Sequence, residues 1–531
     1  MQSVAAPRRA AEITLAFACS ALALAGMAAG ALRRPYFLDY DPEYAYLLNS
    51  LNLLELSVPG HFDHPGTPLQ VFGAVVVLLQ WLLGGAGTGG PAGSVLLDPE
   101  RYLAGINAGL NLLVGAAAWF AARALWLRSG RLVIALLVPL ALPCLLQTAI
   151  ALGRVTPEPM LVAATLLAFA LVLTASDLPA RRPGWRNAPL ATRLFAAALG
   201  VGVAVKVTFA PLLAMLWLLP RENRRAGIAW SAIAFLLAIV PVLPFAPRMA
   251  GWFASLLLNR GHLASGNVGL PDAAKLGDNL AGFLAGEPAL FLALALLAAC
   301  WLAARRARDW RIGGASAATW CAVALAVGLL QIAISVKHGA PRYLLAATVF
   351  DVLTLIALAA TMPSGPLRRG ATAAGLAAVL VAGTAGLGGY WQWHLGYREA
   401  ADSRGRLLAS AGAGTNCMLV HHSGTGSPAY ALAFGNDYAR RKFATRLGTL
   451  YPDAVFYDIW QREFRGFDRA DRLAQVLRHI AEGRCVLMHG MPLAGLHADY
   501  ARGMQLQLLE EEGPVATYRL LGFSQQPAAR P

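Results

Sequence analysis

Long apolar runs recur along most of this chain, and they restrict its fold more than any other feature. About 20 consecutive apolar residues suffice to cross a bilayer, and a helix satisfies its own backbone hydrogen bonds inside lipid. Hydrophobic residues make up 57% of the 531 positions and charged residues only 14%. The sequence therefore predicts a polytopic α-helical membrane protein with about eleven spans and additional interfacial helices. The predicted spans are 13–32, 102–127, 131–151, 158–176, 191–205, 208–219, 227–246, 287–304, 315–336, 342–361 and 371–393.

The basic residues indicate how these spans are oriented. The formal net charge is +15, and Lys and Arg recur in short clusters between apolar runs, as the positive-inside rule expects of cytoplasmic loops. This distribution argues against a nucleic-acid partner and favours a multi-pass protein of a bacterial inner membrane. The alternation of the clusters requires that 68–83 does not cross the membrane, but lies at the outer interface or re-enters. It also requires that 191–219 forms two short helices that turn near Lys206.

The chain divides into two predicted domains. Residues 1–393 form the membrane domain, whose first outer loop is 33–68, and residues 394–531 form a soluble extracytoplasmic α/β domain in which β-rich runs alternate with helical stretches. Cys417 and Cys485 each begin a strand-like run, so a disulfide outside the cytoplasm and two buried thiols are both open. The turn at 421–428, HHSGTGSP, is interpreted as an ordinary loop rather than a phosphate cradle.

The first outer loop concentrates acids and imidazoles in a chain that is otherwise mostly hydrocarbon. These side chains are Asp39, Asp41, Glu43, His61, Asp63 and His64. Carboxylates beside imidazoles are what a general base or a metal site needs. A solvated connecting loop explains the composition equally well, because loops are ordinarily polar and rich in Pro and Gly. The neighbouring Arg33 and Arg34 depart from the charge rule and are interpreted as contacts to lipid phosphates.

Further ionisable residues fall at the same predicted face. They are Arg154, Glu158, Lys206, Lys337, His338 and Arg342. A Lys or Arg at a helix end usually extends to the lipid headgroups, which is the simpler interpretation of any one of them. Together they favour a lipid-phosphate site, since the planar fork of Arg donates two parallel hydrogen bonds to phosphate. Asp351, inside a predicted span, is interpreted as structural.

Four short motifs, in order over about residues 13–361, resemble a known family. They are DYDPEYAYLL with DHPGTPLQ, GRVTPEPMLVAATLLAFAL, GVGVAVKVTFAPLLAML and VKHGAPRYLLAA. These motifs are similar to those of the GT-C superfamily of membrane glycosyltransferases, in particular the branch of the protein O-mannosyltransferases and the lipid A aminoarabinose transferase. The resemblance implies a GT-C-like fold. It also implies transfer of a sugar from a polyprenyl- or dolichyl-phosphate donor at the outer face, with an acid of the first outer loop near the acceptor.

The same resemblance implies roles by position. Asp41 is the first choice for the catalytic acid and Asp39 the second. Glu158 is the second outer acid. Lys206 and Arg342 are phosphate contacts, and His64 is part of the pocket wall. Their position at the predicted outer face, rather than the resemblance, adds Lys337 and His338 to the phosphate contacts. It likewise adds Glu43, His61, Asp63, Arg154 and Glu158 to the pocket. Metal dependence stays open, with Asp39, Asp41 and Glu158 as candidate ligands of a divalent cation.

The resulting hypothesis is an inverting glycosyltransferase whose partners are a polyprenyl-phosphate-linked sugar and membrane lipid. The sequence leaves open whether the acceptor is a glycan, a lipid or a protein. The alternative is a lipid-linked saccharide transporter or flippase, which predicts ionisable residues in the middle of several spans. Apart from Asp351, the predicted spans contain few.

Overall fold

A computed structural model describes most of the chain. The described residues are 5–38, 43–63, 66–84, 89–178, 187–259, 267–269, 272–307, 309–362, 417–423, 427–459, 461–493, 501–512 and 515–524, with scattered positions between 370 and 409 and at 498–499. Asp39, Asp41 and His64 lie outside the described residues, as does most of the predicted span 371–393.

The apolar part of the chain is helical, as its composition predicts. Its α-helices are α1 Ala5–Arg33, α2 Glu43–Leu54, α3 Thr67–Leu83, α4 Gly90–Leu97, α5 Pro99–Ser129, α6 Leu132–Ala141, α7 Leu146–Leu152, α8 Pro157–Ala175, α9 Leu190–Val205, α10 Arg221–Ala238, α11 Ala246–Leu258, α12 Ala273–Gly286, α13 Pro288–Arg306, α14 Ala317–Ser335 and α15 Leu345–Thr361. Short 3-10 helices lie between them at Tyr36–Leu38, Leu142–Cys144, Val207–Leu218, Val240–Phe245 and Pro341–Leu344.

Six helical stretches within the described residues are long and apolar enough to cross a membrane, and two bent pairs would raise the number to eight. The bent pairs are Leu132–Cys144 with Leu146–Leu152, at 76°, and Arg221–Ala238 with Val240–Leu258, at 75°. Prolines at 143, 241 and 244 lie near these bends. A proline bends a helix because it lacks the amide hydrogen of one helical hydrogen bond. The polytopic helical architecture is confirmed. The number of about eleven spans stays a prediction.

The chain folds into two compact units. The first consists of residues 1–32, 62–72 and 106–391, and the second of residues 33–61, 73–105 and 392–531. In the first unit, small residues bring α9 and α10 close together. A Cβ added at Gly200 would lie 2.1 Å from the carbonyl oxygen of Ser231, whose hydroxyl donates to the Ala196 carbonyl at 2.9 Å. Such small-residue contacts are typical of helix pairs in membranes.

A short hairpin marks one end of the first unit. Strands β1 Arg311–Ile312 and β2 Ala315–Ser316 connect α13 to α14. The amide of Gly314 donates to Oγ of Ser176, just after α8, at 3.2 Å. Beside the hairpin, Nε1 of Trp310 donates to Oγ1 of Thr361, the last residue of α15, at 3.2 Å. The amino-terminal ends of α8, α13 and α15 therefore lie together at the opposite end of the unit, where the predicted outer residues are found.

The second unit contains a mixed sheet. Its strands are β3 Met418–His421, β4 Val455–Asp458, β5 Glu463–Arg465, β6 Val486–Gly490, β7 Met504–Glu512 and β8 Val515–Phe523, in the order β5-β4-β3-β6-β8-β7. The pairs β3–β4 and β3–β6 are parallel and the others antiparallel. The helices are α16 Pro428–Tyr438, α17 Ala444–Leu450 and α18 Leu473–Ala481. Val476 of α18 joins Val420 and Met488 in an apolar core on one face of the sheet.

A disulfide bond joins Cys417 to Cys485, so the structure decides between the two interpretations of these cysteines. They precede the neighbouring parallel strands β3 and β6, and the amide of Met418 donates to the carbonyl of Cys485 at 2.9 Å. The bond therefore ties together the amino-terminal ends of these two neighbouring strands. The extracytoplasmic location of this part of the chain, and the domain boundary at 393, stay predictions.

Candidate functional site

A buried ion pair joins the first turn of α8 to the residue that follows α9. α8 begins at Pro157, which suits the first helical position because its missing amide hydrogen would have no helical partner there, and Glu158 follows in the first turn. Lys206 has an extended backbone, with φ −161° and ψ 130°, between α9 and the next 3-10 helix. Its Nζ lies 2.6 Å from Oε1 of Glu158, and each residue is 5% exposed. The predicted turn near Lys206 is confirmed.

Arg342 and Tyr343 extend this ion pair into a cluster. Nζ of Lys206 lies 4.8 Å from the centre of the Tyr343 ring, and Cζ of Arg342 lies 5.6 Å from it. Both distances allow cation–π attraction, and the charge of Arg342 also acts on Glu158. The cluster thus combines two cationic side chains with one carboxylate, and within it Glu158 and Lys206 are buried. Tyr343 was not among the predicted site residues, although it directly follows Arg342 in the sequence.

The other predicted outer cations of the first unit have different surroundings. Nζ of Lys337 donates to the carbonyl oxygen of Leu256 in α11 at 2.7 Å, and desolvation lowers the pKa of this amine. The ring of His338 lies edge-on to Tyr343, with 6.3 Å between ring centres. The Arg154 carbonyl, just before α8, accepts from the Asn107 amide at 3.3 Å. The structure thus brings Lys206, Arg342 and His338 around one tyrosine, whereas the Lys337 amine is directed to α11.

In the second unit, the first outer loop begins with a buried ion pair. Arg33 Nη2 lies 3.5 Å from Oε1 of Glu43, the first residue of α2, and the two residues are 1% and 0% exposed. The interpretation of Arg33 as a contact to lipid phosphate is therefore wrong. Its guanidinium is buried inside the protein, where the carboxylate of Glu43 neutralises its charge. A carboxylate at the amino end of a helix also gains from the helix dipole. In the sequence, Glu43 directly follows the segment that carries Asp39 and Asp41.

Glu100 holds the backbone that precedes that segment, although no sequence motif indicates a function for it. Its carboxylate accepts from the backbone amides of Tyr36 at 2.8 Å and Phe37 at 3.2 Å, and from the Tyr44 hydroxyl at 2.8 Å. Burial, together with the charge and hydrogen bond of Glu100, keeps the pKa of Tyr44 well above its usual value. From sequence, an acid in the first turn of α5 indicates only favourable interaction with the helix dipole. The hydrogen-bond partners of Glu100 lie 56 to 64 positions earlier in the sequence, so a local pattern does not reveal them.

Asn49 and His61 fix the returning part of the loop against α16. Oδ1 of Asn49 accepts from the amides of Gly60 at 2.6 Å and His61 at 3.4 Å. Nδ2 of Asn49 donates to the carbonyl of Tyr438 at 3.2 Å. The His61 ring lies between Tyr46 and Tyr438, with 4.9 Å between ring centres on each side. These contacts give His61 a packing role within the second unit.

Asp63 belongs to the first unit, next to an aromatic pair. Phe62 stacks on Phe245 with 5.0 Å between ring centres. Asp63 itself is half-buried, and burial raises the pKa of its carboxyl. A carboxyl in this environment takes up a proton more readily than an exposed one. Its predicted role in a pocket wall stays a prediction.

Asp351 lies inside α15 and is fully buried. A Cβ added at Gly328 of α14 would lie 2.8 Å from its Oδ2, so the glycine makes room for the carboxyl. Neither carboxyl oxygen has a hydrogen-bond partner among the described residues. The helix-to-helix hydrogen bond that a structural role suggests is thus not found in that part of the chain.

A metal site has no support within the described residues, which contain no group of three or more His, Cys, Asp or Glu able to hold an ion. Two of the three candidate ligands, Asp39 and Asp41, lie outside those residues. The third, Glu158, has its Oε1 on the ammonium of Lys206. The divalent cation of the sequence hypothesis remains untested.

Comparison with known proteins gives structural neighbours only. No family model matches the chain, and no curated protein matches it. Among solved structures, it is similar to ArnT from Cupriavidus metallidurans bound to undecaprenyl phosphate, with 13% identity and a TM-score of 0.49 over 94% of this chain and 97% of that one. It is also similar to the apo state of the same protein, with 14% identity and a TM-score of 0.47 over 97% and 98% of the two chains.

Proposed function

We propose that this protein is an inverting glycosyltransferase that moves a sugar from a polyprenyl-phosphate-linked donor to an acceptor at the extracytoplasmic face of the membrane. The observation that carries the proposal is the cluster of the buried Glu158 and Lys206 with the half-buried Arg342 at one end of the apolar helices of the first unit. A lipid phosphate places its charge where apolar helices end. A positively charged group of side chains at that level suits it.

The proposed reaction exchanges one bond for another at the anomeric carbon. The acceptor hydroxyl oxygen attacks this carbon from the side opposite the phosphate, and the bond from the carbon to the phosphate oxygen breaks. The bonding electrons leave with the polyprenyl phosphate, which gains one negative charge, and the hydroxyl proton passes to a carboxylate. Asp41 is the first choice for that carboxylate and Asp39 the second.

Lys206 and Arg342 are suited to stabilise the leaving phosphate. The Lys206 ammonium is already held by Glu158 and by the Tyr343 ring, so it needs little reorganisation when negative charge develops. Arg342 adds a planar fork that can donate two parallel hydrogen bonds to phosphate. The leaving phosphate carries one more negative charge than the bound donor, so the two cationic side chains attract the product of bond cleavage more strongly than the donor.

The residues on either side of the loop segment 39–42 support the proposal that this segment carries the base. Glu100 accepts hydrogen bonds from the backbone amides of Tyr36 and Phe37, which precede the segment. Glu43, which directly follows it, is paired with Arg33. These contacts fix the described residues that come before and after the segment. A base that is held in place before the acceptor binds accelerates transfer, because less orientational freedom is lost in the reaction.

The test is transfer of labelled sugar from a panel of polyprenyl-phosphate sugars in membranes that contain the full-length protein. Asp41→Asn removes the proposed base, and Lys206→Gln removes a phosphate contact. We expect each to lower transfer by roughly 10²–10³-fold, as loss of a preorganised charge contact does. Lys275→Gln is the matched control, because Lys275 is an exposed lysine of α12, and it should transfer like the wild type.

The alternative outcome is transport. If the wild type transfers sugar from no donor, yet moves lipid-linked saccharides across the bilayer, and if the movement survives Asp41→Asn and Asp39→Asn, the protein is a transporter and the enzymatic proposal fails. If both variants are inserted and folded but transfer normally, neither acid is the base.

A further inference from the structure

Glu287 is a buried acid that the sequence analysis passed over. It directly precedes α13, where GEPAL reads as an ordinary helix start, and the residue is 1% exposed. One carboxyl oxygen accepts from the backbone amide of Gln147. The other, Oε2, has no hydrogen-bond partner within the described part of the chain.

An unsatisfied buried carboxyl oxygen is unfavourable. Leaving such a group without a partner costs about 1–3 kcal/mol, and more if it is charged. Glu158, which is also buried, differs because the Lys206 ammonium lies on its carboxylate. A polar group left in this state in a folded protein calls for an explanation, and a bound ligand is one. The missing partner of Glu287 is a polar group that can hydrogen-bond to its carboxyl oxygen.

A backbone contact brings Glu287 near Arg342, a member of the cationic cluster. A Cβ added at Gly286 would lie 2.5 Å from Cγ of Pro341, so only glycine allows these two segments to touch. Gly286 precedes Glu287 and Pro341 precedes Arg342 in the chain. Given the 3.8 Å spacing of neighbouring Cα atoms, the Cα atoms of Glu287 and Arg342 are at most about 14 Å apart. Both side chains are long enough to reach one small ligand between them.

The same contact is secured from a third segment. Nε2 of Gln147 in α7 donates to the carbonyl of Gly286 at 3.3 Å, while the backbone amide of Gln147 holds the Glu287 carboxyl. Both functional groups of one residue thus fix the position of this acid. A carboxyl group that is fixed in this way loses little conformational freedom when a ligand binds to its second oxygen. It therefore suits ligand recognition better than a flexible surface side chain.

We propose that the buried carboxyl group of Glu287 hydrogen-bonds to a hydroxyl or amino group of the sugar of the lipid-linked donor, next to the phosphate bound by Lys206 and Arg342, and thereby selects which sugar is transferred. This inference rests on the proposed function. It adds a specificity-determining residue that contacts the sugar, whereas the cationic cluster contacts the phosphate. A site built to form a hydrogen bond discriminates strongly against a sugar that lacks the partner group, because the buried carboxyl oxygen is then left unpaired.

The experiment combines changes in the enzyme with changes in the donor. Transfer is measured for wild type, Glu287→Gln and Glu287→Leu, using polyprenyl-phosphate donors in which each sugar hydroxyl or amino group is removed in turn. In the wild type, one removal should lower kcat/KM by roughly 10–100-fold, as expected for a hydrogen bond to a buried carboxyl group. In Glu287→Leu the same removal should have almost no further effect, because the partner is already absent.

Binding of unglycosylated polyprenyl phosphate provides the second readout. It should be unchanged in both variants, since the proposal gives Glu287 no contact with phosphate. Glu222→Gln is the matched control, as Glu222 is an exposed acid in the first turn of α10. If every donor loses activity equally in Glu287→Leu, or if phosphate binding falls in parallel, Glu287 is not a sugar-recognition residue. If the wild type itself transfers no sugar, the proposed function fails and this inference with it.

Discussion

Asn49 and Tyr438 are separated by 389 positions in the sequence, and the Nδ2 of Asn49 lies 3.2 Å from the carbonyl oxygen of Tyr438. The amide oxygen of Asn49 accepts from Gly60 at 2.6 Å. One side chain thus joins α2, the returning part of the first outer loop and the end of α16. Within the second unit, the C-terminal region therefore holds the loop that carries the candidate acids, a role that the sequence left undefined.

Replacement of Asn49 should loosen this loop. Asn49→Leu keeps the volume but leaves the Gly60 amide and the Tyr438 carbonyl without this partner, at a cost of about 1–3 kcal/mol for each buried group. We expect faster hydrogen exchange of the amides in 43–61 of the full-length protein. Gln507→Leu, on an exposed position of β7, is the control. Unchanged exchange in Asn49→Leu would show that α2 does not depend on α16.

The pair of Lys206 and Glu158 allows stability to be separated from activity. Lys206→Met leaves a carboxylate buried without its cation, which typically costs 3–5 kcal/mol, and the protein should unfold at a lower temperature. The double variant Lys206→Met with Glu158→Leu should recover much of that stability, because no buried charge remains unpaired. It should still lack transfer activity, since the phosphate contact is gone. Recovery of activity together with stability would refute the catalytic role of Lys206.

Glu100 should affect transfer without contacting the substrate. Glu100→Gln weakens the acceptor for the amides of Tyr36 and Phe37 and for the Tyr44 hydroxyl, because a neutral amide accepts hydrogen bonds less strongly than a carboxylate. We expect kcat to fall by about tenfold with little change in KM, as when the geometry of a base is disturbed. The measurement is initial-rate transfer, with the exposed Glu510→Gln as control. A change confined to KM would place Glu100 in substrate binding instead.

His422 should make the second unit sensitive to acid. Desolvation, with smaller contributions from His489 and His421, lowers its pKa from 6.5 to about 3, and both ring nitrogens lack hydrogen-bond partners among the described residues. Below pH 6.5 the unfolded chain takes up a proton that the native imidazole does not, so stability falls as the pH drops from 6.5 towards 3. The expected loss between pH 7 and pH 5 is about 2 kcal/mol.

Thermal unfolding of the full-length protein at pH 7 and pH 5 measures this effect. His422→Gln should reduce the difference between the two pH values, because glutamine does not titrate. His479→Gln, in the half-exposed part of α18, should leave the difference as in the wild type. An unchanged pH dependence in His422→Gln would mean that other groups cause the acid sensitivity.

Local patterns predicted the elements of this fold well. The apolar runs, with prolines and charges at their ends, marked α5, α8, α13, α14 and α15 within a few residues, and they marked the end of α1, which begins eight residues before the predicted span. The break at Lys206 was also predicted, because the positions of the basic clusters required a turn there. Such features depend on the length and composition of one segment, and a single segment suffices to determine them.

The pairing of side chains was decided by tertiary structure. The sequence placed Glu158 and Lys206 at one face, but not within 2.6 Å of each other. It assigned Arg33 to lipid, although Glu43 neutralises it, and it offered no sign that Glu100, Asn49 or Glu287 is buried. These outcomes depend on which distant segments pack together, and that depends on the combined burial and hydrogen bonding of the whole chain. The sequence by itself determined a polytopic helical membrane protein with ionisable residues between its apolar runs. Only packing decided which charges are neutralised and which buried acid keeps an oxygen available for a ligand.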